Sequence, residues 1–519
     1  MILPVSRRRF ALGALAAPFV VSTPHALAQT DRRPTLTVAV AQLPNVLEPA
    51  LELNNVGTRV TYSVFDTVIR RDFLGSPAGD GSALKPHLAT EWTRVSPREV
   101  LVKLRRGVKF HNGEEMTAED VAYTFREGRL WGDNAQIAEG RAFFGVLESA
   151  EALDRDTVRF RTRVPDVLFE MRLASWCSWV VNKRHYEQVG LEGFGRNPVG
   201  TGPYRFAAMR ANDHMTFEAF DEYWMGRPTA RRVIFREIPE LSARIAGLVS
   251  GEFDLVTNVP PDQLQVLSGY PDIEPRSVVL ANSHLLTFDE RGPATSDKRI
   301  RQALALSVDR KRLVDTLWLG QAVVPPSHNY PEYGPMFLEG RSLPFDPERA
   351  RALLREANYR GEPITYRTLP NYYTNALDAA QIIVEMWKAV GIDARLQVVE
   401  SFAQMQAAGQ QVGNTSNSTR FPDPLGAIWV SWGPNSAFQR QRMFQTIEPF
   451  NTAGLALEQA TELPERRRLF ASLLDAWEDA CPATILYQPL ESYGAKKSVR
   501  WRPYSFYFMD LRPDNLAFT

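Results

Sequence analysis

The stretch EPITYRTLPNYYTNALDAAQIIVEMWKAVGIDARLQVVE, residues 362–400, decides the fold. Glu362–Pro370 reads as a strand. Asn375–Asp393 repeats apolar residues at helical spacing, with Leu377, Ala380, Val384 and Trp387 as the expected buried stripe and Gly391 as the stop. Ala394–Glu400 returns to strand character. A strand, a crossover helix and a strand of this length imply a parallel pair, right-handed in nearly all such units. A second unit of this kind runs from ARRVIFREIP (230–239), through a helix carrying Ile245, Leu248 and Val249, to FDLV (253–256).

Other segments fit the same mixed α/β organisation. Pro34–Val40 alternates, placing Leu36, Val38 and Val40 on one strand face. Thr117–Asp120 resembles a capping box that opens a helix through Phe125. Asp346-Pro347-Glu348 supplies an N-cap, a proline at the first helical position and an acid in the first turn, ahead of a stripe of Ala350, Leu353 and Leu354. No fixed-period repeat or low-complexity tract is present, which argues against a solenoid.

The N-terminus reads as an address. Ser6-Arg7-Arg8-Arg9-Phe10 precedes an apolar run to Val21, and Ala26-Leu27-Ala28 is a small-x-small cleavage pattern. The paired arginines point to twin-arginine export, with cleavage expected after Ala28. The apolar core falls short of the ~20 residues that a membrane helix needs. Neither cysteine, Cys177 or Cys481, lies near this segment, so the exported chain is expected to be periplasmic, soluble and not lipidated. The two cysteines could pair in an oxidising compartment.

Composition describes an ordinary globular protein of 519 residues, 44% hydrophobic and 23% charged, long enough for two or three domains. Loss of Arg7, Arg8 and Arg9 leaves a small excess of acids. Without a concentrated basic surface, nucleic acid is not an expected partner. The runs Arg466-Arg467-Arg468 and Lys496-Lys497 read as solvated faces. There is no G-x-S-x-G elbow, H-E-x-x-H helix, Walker loop or C-x-x-C pair. Gly200-Thr201-Gly202 is followed at once by Pro203, so no phosphate-cradling helix starts there. His111 and His284 stand singly and read as structural rather than metal-binding. No enzyme activity, metal or cofactor is expected.

Four segments carry a resemblance: LVKLRRGVKFHNGEEMTAEDVAYTF (101–125), NPVGTGPYRF (197–206), GEFDLVTNVP (251–260) and DKRIRQALALSVDRKRLVDTLWLG (297–320). In this order they resemble the extracellular solute-binding proteins of family 5, the oligopeptide, dipeptide and nickel type. The resemblance covers essentially the whole mature chain, and its first segment is the most specific. It implies an α/β, two-lobed periplasmic binding protein of type II, cluster C. Lobe I is expected at 29–65, 193–285 and 489–519, with an extra subdomain at 66–192, and lobe II at 286–488. Hinge crossings are expected near Leu285–Phe288 and Leu486–Pro489. The implied partners are a small-molecule ligand and an inner-membrane ABC permease with its ATPase; the protein is expected to act as a monomer.

The resemblance also bears on NSTRFPDPLGAIWVSW (417–432). Phe421 and Asp423 each precede a proline, which favours stiff, extended backbone. In the peptide-binding relatives this stretch reads roughly Trp-x-x-Asp-x-x-x-Pro, and its aspartate accepts the peptide's α-amino group. Laid on Pro424, that pattern puts Arg420 in the place of the aspartate. A guanidinium there repels ammonium and suits bidentate oxyanion binding. The ligand is therefore expected to carry an anionic group: an opine-like conjugate, a sugar acid or an N-blocked peptide. Alternatively, Arg420 and Asp423 bridge within the lobe. Asp423 is otherwise read as available to hydroxyls or an amine, Asn417 as a neighbour of the site, and Phe421 and Trp432 as stacking surfaces. Trp429 either stacks likewise or fills the core. By position in such folds, Leu43, Pro44 and Asn45 after the first strand, and Tyr372 and Tyr373 after a lobe II strand, are further ligand-contact candidates. The competing functions are a binding protein that reports to a chemoreceptor or sensor kinase, an ordinary di- or oligopeptide binder, and an exported hydrolase.

Overall fold

Thr35–Val40 occupies the middle of a seven-stranded sheet, where Leu36, Val38, Ala39 and Val40 are fully buried. The computed structural model describes residues 31–519 apart from Ala78, Asn371 and Ala408. The export segment read at 1–28 lies outside the described residues. From edge to edge the sheet runs Ile273–Val279, Leu490–Lys496, Leu255–Val256, Thr35–Val40, Arg232–Glu237, His214–Ala219 and Tyr204–Arg210. The expected unit at 230–256 forms, with helix Leu241–Ser250 as its crossover, but its two strands are not neighbours. Thr35–Val40 lies between them, parallel to both. Its apolar residues on both faces suit the most buried position, which a locally connected pair would otherwise have taken.

A four-stranded antiparallel sheet, Ala89–Ser96, Glu99–Leu104, Thr157–Thr162 and Leu147–Ala152, packs into the same core. Helix Ala118–Thr124 sits against it, and the Asp120 carboxylate accepts the Thr117 N–H at 2.9 Å, the back half of the expected capping box. Gly200 and Gly202 are required by packing, because a Cβ at either would strike the Val64 backbone.

The second lobe is built on a five-stranded sheet in the order Ala394–Val398, Ile364–Thr368, Val412–Ser418, Asn282–Phe288 and Ala483–Tyr487. Ile364–Thr368 and Ala394–Val398 pair in parallel across helix Ala376–Ala389, as the sequence indicates. The helix buries Ala380, Val384 and Trp387 of the expected stripe, with Ala376 and Ile383 beside them, while Leu377 is only half-buried. Asp346 caps helix Pro347–Glu356 by accepting the Arg349 N–H at 2.9 Å, and Ala350, Leu353 and Leu354 face the core.

The chain passes between the two large sheets at Leu280–Ala281 and at Gln488–Pro489. The first passage precedes the expected Leu285–Phe288, which is a fully buried part of a second-lobe strand. The two passages are tied together, Leu280 N–H to Pro489 O at 2.9 Å and Gln488 Nε2 to Leu280 O at 3.2 Å. Cys177 and Cys481 are both free and buried, not paired. No helix of the described residues is long and apolar enough to cross a membrane.

Candidate ligand-binding site

The second-lobe sheet sends two loops out from the carboxyl ends of parallel strands, where open α/β sheets bind ligands. One follows Ile364–Thr368 and carries Tyr372 and Tyr373. The other follows the central strand Val412–Ser418 and carries Arg420. The second loop is not simply extended. Asp423 is (φ −155°, ψ 151°), but the chain then doubles back, with the Arg420 N–H reaching Gly426 O at 2.9 Å. Gly426 permits this close return, since a Cβ would collide with the Phe421 carbonyl and ring. The short helix Ile428–Trp432 follows and turns Ser431 back toward Arg420.

A cavity of about 240 Å³ lies between this loop and the first lobe. Arg420, Asn417, Ser431 and Trp432 line it from one side, and Leu53, Phe143 and Trp176 from the other. Arg420 Nη1 donates to Ser431 Oγ at 2.7 Å, to Ser418 O at 2.9 Å and to Asn417 Oδ1 at 3.0 Å. Its guanidinium lies 5.2 Å from the Trp176 ring centre. Nη2 makes no hydrogen bond among the described residues, and Nε is buried without a partner. No described carboxylate pairs with Arg420, so the alternative bridge to Asp423 does not form. Burial pushes its pKa down to about 10, which still leaves it charged at neutral pH. A half-buried cation without a carboxylate partner favours an anion as its ligand.

The other expected contacts divide. Asn417 is on the cavity wall, where its Oδ1 also accepts from Ser431 Oγ and its Nδ2 lies 3.1 Å from His328 Nδ1. Trp432 is on the wall and stacks on Phe438 with ring centres 4.3 Å apart. Asp423 is not available to a ligand. Its Oδ2 accepts from Arg466 Nη2 at 2.7 Å, both side chains are buried, and its Oδ1 caps the turn at the Leu425 N–H. This also corrects the reading of the basic run as solvated: Arg466 is a core ion-pair partner. Phe421 is fully buried beneath the Arg172 guanidinium, and Trp429 packs on Phe450 and Gly454; both belong to the second-lobe core.

Tyr372 and Tyr373 lie away from the Arg420 cavity. Tyr372 OH accepts the Asn55 N–H of the first lobe at 3.3 Å, and its ring lines a separate groove with Gln42, Glu237 and Glu400. Tyr373 packs on His284, ring centres 4.5 Å apart. Leu43 is buried in the first-lobe core and Asn45 is exposed; neither is on the cavity wall. Sequence reasoning missed Phe143, Trp176, Ser431 and Phe438. The run Trp176-Cys177-Ser178-Trp179, large rings spaced by small residues, was the available signal for one of them.

The lone histidines are structural. His111 Nδ1 accepts the Gly200 N–H at 3.3 Å and its Nε2 faces Gly202 O at 3.0 Å, an arrangement of the neutral ring. Burial pushes its pKa to about 4 and that of His284 to about 3. Among the described residues no group of histidine, cysteine and acidic side chains has the geometry of a metal site.

Comparison with known proteins places this architecture. The dipeptide-binding protein of Escherichia coli K12 is 24% identical over 338 residues, which span 61% of this chain and 63% of that protein, under two thirds of its length. A dipeptide-binding protein from Pseudoalteromonas sp. SM9913, solved with Met-Leu, superposes with a TM-score of 0.83 at 20% identity, over 93% of this chain and all of that one. AgaA from A. tumefaciens R10, solved with agropinic acid, gives 0.78 at 19% identity, over 93% and 99% of the two chains. At such identities the structures show a shared fold, the two-lobed periplasmic binding-protein architecture. The family described as bacterial extracellular solute-binding proteins, family 5, matches residues 83–439, most of the chain, and this protein belongs to it.

Proposed function

We propose that this protein is an exported, periplasmic substrate-binding protein that captures a small or medium-sized ligand bearing an anionic group and delivers it to an ABC importer of the inner membrane. Arg420 carries the reading: a half-buried guanidinium without a carboxylate partner, on the wall of a cavity between two lobes. The ligand's carboxylate or phosphate would complete the guanidinium's hydrogen bonding and be enclosed as the lobes close. Ligand contacts from both sides favour the closed form that a transporter would recognise. Family membership supports the binding and delivery role, and the fold shared with an agropinic acid-binding protein is compatible with an opine-like, acid-bearing ligand. Sugar acids and N-blocked peptides belong to the same class. The protein binds its ligand without altering it, acts as a monomer and is not lipidated.

Native mass spectrometry of the protein taken from its own periplasm, followed by a thermal-shift screen, tests this. An acid-bearing ligand whose affinity collapses in Arg420→Ala is the expected result. Strong shifts with ordinary unblocked dipeptides, unchanged in Arg420→Ala, would overturn it.

A further inference from the structure

The walls of the Arg420 cavity specify more than charge. Polar groups on the wall are largely committed to one another. Asn417 Oδ1 already accepts from Arg420 and Ser431, and Asn417 Nδ2 is engaged by His328. Ser416 Oγ accepts from Asn282, and Ser436 Oγ caps the Gln439 N–H. Three fully buried polar atoms of wall residues lack a partner, Arg420 Nε, Trp176 Nε1 and Trp432 Nε1, and each is a donor. Among the lining residues the sole carboxylate is Glu139, half-exposed at the rim and 3.5 Å from Arg440. A ligand ammonium thus finds no carboxylate on the wall beyond the rim. The remaining wall is apolar and aromatic: Phe143, Trp176, Trp432 and Phe438, with Leu53 and Val430. Its volume of about 240 Å³ is below the ~300–1,000 Å³ of drug-sized pockets.

We infer that the ligand is a small carboxylic acid with a flat apolar body and no free ammonium group, an aryl-alkanoic acid or an N-acylated aromatic amino acid, its carboxylate on Arg420 and its ring between Trp176 and the Trp432–Phe438 stack. This rests on the anion-binding reading of Arg420 and narrows it. Aromatic walls reward a ring by stacking and by apolar burial. Arg420 rewards a carboxylate over its neutral isostere, because only the carboxylate forms a charge-assisted pair with the guanidinium.

The test is calorimetry on the exported full chain, stripped of co-purified ligand by unfolding and refolding, with five probes: phenylacetate, N-acetylphenylalanine, phenylacetamide, gluconate and the dipeptide Ala-Phe. At least one of the two aryl acids is expected to bind ~30-fold or more tighter than phenylacetamide. Arg420→Gln is expected to remove that difference, and Phe438→Ser to weaken the aryl acid ~10-fold. Because the rim residue Phe438 is only partly buried, its variant tests the stacking wall without opening the core. Gluconate binding more tightly than both aryl acids, with loss in Arg420→Gln, would overturn the apolar body and leave the anion reading standing. Ala-Phe binding equally to wild type and Arg420→Gln would overturn both. No aryl-acid binding at ~5 mM, or a Phe438→Ser affinity equal to wild type, would overturn the inference as well.

Discussion

The carbonyl oxygen of Arg420 accepts a 2.7 Å hydrogen bond from Nη1 of Arg71, across the gap between the lobes. Ser175 Oγ donates to the same oxygen at 3.2 Å. Arg71 is itself buried against Phe73 and Phe506, donates to Gly81 O and Asp80 O, and is driven by burial to a pKa of about 10. A charged donor of the first lobe therefore holds the main chain of the second-lobe loop that carries Arg420. Arg71→Met is expected to weaken ligand binding ~10-fold by favouring the open form, at the ~1.5 kcal/mol of a charge-assisted hydrogen bond. Small-angle scattering should show a larger radius of gyration for the unliganded variant. Equal radii and equal affinities would exclude this role for Arg71.

Arg420→Ala separates binding from stability. It removes a half-buried charge that has no ionic partner, and with it a partial desolvation penalty as well as three hydrogen bonds. The two effects oppose, so the unliganded protein should change in stability by less than ~1 kcal/mol, whereas the ligand-induced rise in Tm should vanish. Denaturant unfolding with and without ligand measures both.

Asp423 behaves in the opposite way. Asp423→Ala leaves Arg466 buried and uncompensated beside the Leu457 and Ala460 carbonyls, and is expected to destabilise the second lobe by ~3–5 kcal/mol. The protein that remains folded should bind ligand as wild type does, because Asp423 is off the cavity wall. A selective loss of affinity with unchanged stability would return Asp423 to the binding site.

His284 gives the protein an acid sensitivity of calculable sign. Burial against Tyr373 and Tyr487 lowers its pKa from an ordinary 6.5 to about 3, so the unfolded chain takes up the proton first. Its share of stability is complete above pH ~6.5 and is lost as pH falls from there toward ~3; the loss is about 2 kcal/mol by pH 5. His284→Phe removes this term. Its urea midpoint should fall less steeply than that of wild type between pH 6.5 and 5, and parallel curves would refute the assignment.

How much of this was legible in the sequence differs by level. Strand and helix periods found the parallel unit at 364–398 and the face of Thr35–Val40 that carries Leu36, Val38 and Val40, because burial at a regular period writes itself into local spacing. Insertion of Thr35–Val40 between two later strands is a long-range choice that no local pattern records. The same limit governs the cavity. Arg420 was found because charge reversal within a familiar motif is visible, but Trp176 arrives from 244 positions upstream, with nothing in spacing to couple them. Asp423 was misplaced since its partner Arg466 lies 43 residues on, in a run that looks solvated when read alone. Tyr372, a ligand-contact candidate by its place at a strand end, meets the Asn55 N–H and lines a separate groove, not the cavity.

The clasp on residue 420 grips its main chain, which every amino acid other than an altered backbone would present alike. Under the proposed function, choice of cargo and contact between the lobes thus rest on different atoms of one residue. A lineage could exchange the side chain, and with it the cargo, while inheriting the moving parts intact.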